Sequence, residues 1–173
     1  MKWGLTGVYA GYPADAQTLE GNRPRGPGFG PCVLTYRARQ GIKRCMSESE
    51  LLGAFRHATL EDFPHRTHLH VAWLLLRQEG KERGTQSLID GLLHFTAVKG
   101  ASAKFHLTMT LFWSHMLEAG MRSEPGQEDF DAFLASNSHL TASGLVHEYY
   151  SRACLATDSA RTGWVRPDLK PLP

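Results

Sequence analysis

The stretch FPHRTHLHVAWLLLRQEG, Phe63 to Gly80, decides the fold. Leu69, Ala72, Trp73 and Leu76 recur at the three- and four-residue spacing that lines up side chains along one face of an α-helix. Proline is tolerated in a first helical turn, where its missing N–H has no partner to lose, so Pro64 with Asp62 as N-cap predicts a start. Gly80 predicts the stop, because glycine alone enters the left-handed conformation that ends many helices without strain.

Working outward, the same period continues on both sides. MSESELLGAF begins a helix: Ser47 followed three residues later by Glu50 is a capping box, and Leu51, Leu52 and Phe55 share a face. Thr85 to Lys99 carries Leu88, Ile89, Leu92 and Leu93 and ends at Gly100. A third helix runs from Ser102 through Phe105, Met109, Phe112, Trp113 and Met116 to Gly120. EPGQEDFDAFLASN predicts a short helix with Phe130, Phe133 and Leu134 inward, and SGLVHEYYSRACL another with Leu145, Tyr149 and Leu155. Strand-like alternation is absent and the connections are short. The expected fold is therefore all-α: a single-domain antiparallel bundle of about five helices, residues 46–173. The Pro-rich ending WVRPDLKPLP is expected to lie extended across it, anchored by Trp164 and Leu169.

Residues 1–45 are different in kind. GYPADAQTLEGNRPRGPGFGPC has no sustained period and too little apolar surface to offset its chain entropy, so this segment is expected to be disordered. It holds seven Lys/Arg against Asp15 and Glu20, which makes it the basic part of a chain of formal net charge +2. Met46 would itself serve as a start codon, so the segment is either an extension created by start-site choice or a flexible basic tail. The helical body is slightly acidic, which speaks against a nucleic-acid-binding fold. Cys32, Cys45 and Cys154 are an odd number without C-x-x-C spacing, which suggests neither a zinc ribbon nor a disulfide framework. No apolar run reaches membrane-spanning length, and a cytoplasmic protein that neither enters membranes nor is exported is expected.

The histidines carry the chemistry. His65 and His68 stand three residues apart and share a helix face, whereas His70 lies about 200° further round from His68 and is expected at the surface. A third ligand would come from a facing helix, and His106, one turn into the third helix beside Phe105 and Met109, has the right position; His115 falls outside. His65, His68 and His106 would make a three-nitrogen site for a single divalent metal (Zn, Fe or Cu) with an open position for water or substrate. Glu61, one turn before His65, is the candidate fourth ligand or catalytic base. The same three histidines could equally line a metal-free pocket for a small molecule, or be satisfied half-buried polar groups with no site at all. In HEYYSR, Tyr149 and Arg152 are candidates to line a pocket, beside the plainer reading of Tyr149 as core and Arg152 as surface. Cys154 reads as a buried thiol. No H-E-x-x-H, G-x-S-x-G, P-loop or dinucleotide fingerprint occurs.

HRTHLHVAWLLL (His65, His68, Ala72, Trp73), FHLTMTLFW (His106, Thr108, Thr110, Trp113) and the ending YYSRACLATDSARTGWVRPDLKPLP together resemble a group of small uncharacterised bacterial proteins. The resemblance covers about two thirds of the chain. It implies a self-standing domain that excludes the first 45 residues, and it implies no activity. Phe105 departs from that pattern, which has Tyr in Y-H-x-T, and this puts a role for a hydroxyl there in doubt. The functional expectation is a small helical protein with a histidine site, either a metal-dependent enzyme or a small-molecule binder. The opposing reading is a non-catalytic interaction domain.

Overall fold

A computed structural model describes residues 34–37 and 43–173, with side chains described from Met46 onward. Most of the segment expected to be disordered lies outside the described residues. Its described part holds two short strands, β1 (Leu34–Arg37) and β2 (Lys43–Met46), paired antiparallel with Leu34 opposite Met46 and Arg37 opposite Lys43. The sequence pattern had pointed to no strand. From Glu48 to the end, all regular structure is helical, in seven α-helices and three short 3₁₀ turns.

Helix α1 (Glu48–Arg56) starts as expected. The Glu50 N–H donates to Ser47 Oγ at 3.3 Å and the Ser47 N–H donates to Glu50 Oε2 at 2.8 Å, so two of the donors left over at a helix start are satisfied reciprocally. Leu51, Leu52 and Phe55 are buried.

Helix α2 (His65–Val98) begins two residues later than Asp62 would have placed it. Pro64, at φ −69° and ψ 165°, is itself the N-cap and provides no capping side chain. A proline disfavours the helical conformation in the residue before it, so Asp62 and Phe63 stay outside. The helix is broken at Gly80, whose φ of +79° with ψ of 175° is open only to glycine. A straight 34-residue helix would be about 50 Å long, yet Phe95 lies 4.8 Å from Phe63 between ring centroids. A β-carbon on Gly84 would sit 2.6 Å from the Leu75 carbonyl oxygen. Residues 65–79 and 81–98 therefore fold back on each other, and the stop read at Gly80 is real.

Helix α3 (Leu107–Ser123) lies against α2. It starts later than expected, because Ser102–Lys104 is a 3₁₀ turn and His106, extended at φ −147°, is the N-cap. Helix α4 (Phe130–Ser136), capped by Asp129, buries Phe130, Phe133 and Leu134 as the pattern required. Both phenylalanine rings approach Trp73, which has no exposed surface. The helix expected over 143–155 is instead broken into α5 (Val146–Tyr149) and α6 (Arg152–Leu155), followed by α7 (Asp158–Thr162). The break has a local cause: Tyr150 is extended, at φ −124° and ψ 133°, and Ser151 caps the next helix through the Cys154 N–H. Tyr150 thereby turns inward, and its hydroxyl donates to the Val165 carbonyl at 3.0 Å.

Residues 164–173 form no helix. Backbone ties hold them: Val165 N–H to Thr108 Oγ1, Leu169 N–H to the Tyr149 carbonyl, and Ser151 N–H to Asp168 Oδ1. The expected anchors are corrected, since Trp164 and Leu169 are 44% and 57% exposed, whereas Val165 and Leu172 pack against the core. Among the described residues no helix is long and apolar enough to cross a membrane.

Candidate functional site

His65 occupies the first position of α2, half-buried, with its ring centroid 4.5 Å from that of Trp113 on α3. Its Nε2 lies 2.9 Å from the Leu140 carbonyl oxygen. A carbonyl can only accept, so Nε2 carries the hydrogen, and a neutral His65 has its lone pair on Nδ1. This is how imidazoles that bind metals or take protons are commonly fixed: one N–H bonded to a backbone carbonyl, the other nitrogen left as an acceptor.

His68, one turn on, is exposed, and its ring meets Phe63 edge-on at 3.8 Å between centroids. Crowding by surrounding atoms lowers its pKa below the ordinary histidine value, and the charge of a protonated His65 lowers it further. Solvent on the open side of the residue works against that depression. His68 thus favours its neutral, acceptor-bearing form at neutral pH.

His106 is placed differently from the expected third ligand. Its Nδ1 accepts the Met109 N–H at 3.3 Å, which makes it the cap of α3, and its Nε2 donates to the Leu155 carbonyl at 2.9 Å. Both ring nitrogens are engaged, and the side chain ties α3 to α6. Among the described residues no three His, Cys, Asp or Glu side chains are gathered so as to hold a metal ion. Glu61 is exposed in the irregular segment before Pro64, off the helix axis from which its position was reasoned.

Tyr149 is buried beneath the Lys170 ammonium, which sits 4.2 Å from its ring centroid, while Arg152 is exposed; the two do not share a described cavity. Cys154 is half-buried, not buried, and desolvation, with the charge of Asp168 adding, raises its thiol. His115 is bonded to the Pro173 carbonyl oxygen.

The largest correction is His70. It was expected at the surface and is completely buried, stacked on Phe130 at 4.0 Å with the rings 8° from parallel. Neither ring nitrogen has a hydrogen-bond partner. Burial and then the nearby Arg66 guanidinium lower its pKa to about 4, against the opposing pull of Asp131 and Asp129. Sequence reasoning also missed the cleft between α2, the end of α3 and α4, where Trp73, Arg77, Met121, Glu124, Glu128 and Phe133 meet around about 140 Å³. The signal for it was the Gly126 turn, which carries Glu128 back toward Arg77. No protein family, curated protein or solved structure matches the chain.

Proposed function

We propose that the protein is a small ligand-binding protein whose site is the His65–His68 pair at the start of α2. Its helices would form an antiparallel bundle along which the Pro-rich C-terminal segment lies extended. The fold-back at Gly80 supports the bundle, and the backbone ties of Val165 and Leu169 support the course of the tail. The functional reading is carried by one observation, the bond from His65 Nε2 to the Leu140 carbonyl. That bond leaves Nδ1 as a fixed acceptor beside a His68 that resists protonation. Such a pair suits a small molecule that offers hydrogen-bond donors, with Trp113 as an apolar wall.

The same carbonyl-oriented imidazole favours a second reading, a divalent metal (Zn, Fe or Cu) held by His65 and His68, with solvent or substrate completing its coordination. His106 is not included, since both its nitrogens are already bonded. A metal so held would acidify bound water or polarise a ligand oxygen.

The test is a histidine-selective ¹⁵N spectrum of the full chain, with elemental analysis of protein purified without a histidine tag. His65 is expected as the Nε2–H tautomer, with its Nδ1 signal moving when zinc or a ligand from a small-molecule screen is added. Near-stoichiometric metal, lost in His68→Ala, selects the metal reading. A His65 protonated on Nδ1, or signals from both rings indifferent to every metal and ligand, overturns the proposal in favour of a non-catalytic interaction domain.

A further inference from the structure

The two-stranded ribbon of β1 and β2 has no part in the histidine site and carries an inference of its own. Residues 34–46, LTYRARQGIKRCM, hold Arg37, Arg39, Lys43 and Arg44 and no acidic residue. Residues 46–173 hold twelve Lys/Arg against fifteen Asp/Glu. Positive charge is therefore gathered on the ribbon, next to a body of the opposite sign.

The register places that charge at one end. Leu34 stands opposite Met46, whereas Tyr36 stands opposite Arg44 and Arg37 opposite Lys43. Met46 packs against the core, and only Ser47, the N-cap, separates it from α1. The ribbon is thus rooted on the helical body at its apolar end, and the Arg37–Lys43 pair stands three residues further out, about 10 Å at roughly 3.4 Å per residue. Two strands of four residues are marginal by themselves, and like charges directly opposite each other weaken them further. A polyanion against the charged end would relieve that repulsion.

We propose that the ribbon binds double-stranded DNA, with its charged end in the major groove and Arg37, Arg39, Lys43 and Arg44 neutralising phosphates. The groove, about 12 Å wide and about 8.5 Å deep, admits a two-stranded ribbon, and a ribbon reaching about 10 Å from its root spans that depth while the acidic body stays outside. Binding is without base preference, since phosphate contacts carry no sequence information.

The test is fluorescence anisotropy of a labelled DNA duplex titrated with the full chain over a range of salt, with the single strand of the same sequence and phosphatidylglycerol vesicles as competitors. Duplex binding is expected, with log K falling against log salt at a slope of about −3.6, roughly 0.9 for each of the four neutralised phosphates. The double variant Arg37→Gln/Lys43→Gln relieves the cross-strand repulsion, so the ribbon is not lost with the charge. It should weaken duplex binding about tenfold or more at low salt and flatten the slope by about 1.8. Arg23→Gln/Arg25→Gln, an equal loss of charge outside the ribbon, should weaken binding by less than about twofold. Absence of duplex binding at low salt, or equal losses from the two double variants, would overturn the proposal. So would competition by the single strand or by vesicles as strong as that by unlabelled duplex, the first pointing to a charged tail without groove binding and the second to a membrane surface.

Discussion

At the scale of single residues, helix arithmetic was right about His65, His68 and His70 and the choice of inner face was wrong. The two faces are opposed as the 200° separation required, but His70 is buried and His68 is exposed. The reason lies in VAWLLL: residues 69–76 are buried all round, so apolar neighbours did not mark one side as the core. A buried imidazole with no partner makes stability depend on pH. Its native pKa is about 4 and its unfolded value is the ordinary 6.5, so between these values the unfolded chain binds the proton and the native one does not. Stability is then intact above pH 6.5 and falls as pH drops toward 4, by about 3 kcal/mol from this group. His68 shifts in the same direction with a smaller share, being exposed. His70→Leu removes two unsatisfied nitrogens and the titration together. Urea unfolding should show it no less stable than wild type at pH 7, and clearly more stable at pH 4.5. A gap that stays the same at both pH values would mean that His70 is not held neutral.

Elements were legible where a boundary is written in local chemistry. The capping box Ser47–Glu50, the Asp129 cap and the stop at Gly80 needed only neighbouring residues. The break at Tyr150 did not show, because the residues around it keep a helical pattern of apolar positions and the inward turn depends on Val165, fifteen residues away. The hairpin of α2 depends on close backbone approach, and two glycines separate that requirement from helix propensity. On Gly84 a β-carbon would meet the Leu75 carbonyl oxygen at 2.6 Å and the Leu76 Cα at 2.8 Å, both backbone atoms that cannot swing away. On Gly53, within α1, nothing lies within 4 Å. Thermal unfolding should therefore show Gly53→Ala stabilised by about 0.5–1 kcal/mol and Gly84→Ala destabilised by about 2 kcal/mol or more as the two segments are forced apart. If Gly84→Ala were also stabilising, the close packing of residues 75 and 84 would be ruled out.

Across the whole molecule, the helical class was readable from periodicity, whereas the roles of the polar residues were not. His65, His106 and Thr108 each bond a backbone group 49 to 75 residues away, and no local pattern encodes such a target. Residues 146–173 consist of helices of four or five residues and an extended tail, too short to be stable alone. They are joined to the long helices by these ties and by the burial of Val146, Tyr149, Tyr150 and Leu155 in the core. Thr108 is central: wholly buried, it donates to the Gly163 carbonyl at 2.7 Å and accepts the Val165 N–H at 3.2 Å, so one hydroxyl clamps both sides of Trp164. Thr108→Val keeps the shape and leaves a carbonyl and an amide without partners, a loss of about 2–3 kcal/mol. Thr110→Val is the control, because Thr110 Oγ1 only bonds back to the His106 carbonyl of its own helix start, and its loss should be under about 1 kcal/mol. Hydrogen exchange would locate the effect: protection at the Val165 amide should collapse in Thr108→Val while residues 69–76 of α2 stay protected. Uniform loss across the chain would mean instead that the tail and the long helices unfold as one cooperative unit, with Thr108 holding the whole and not just its C-terminal end.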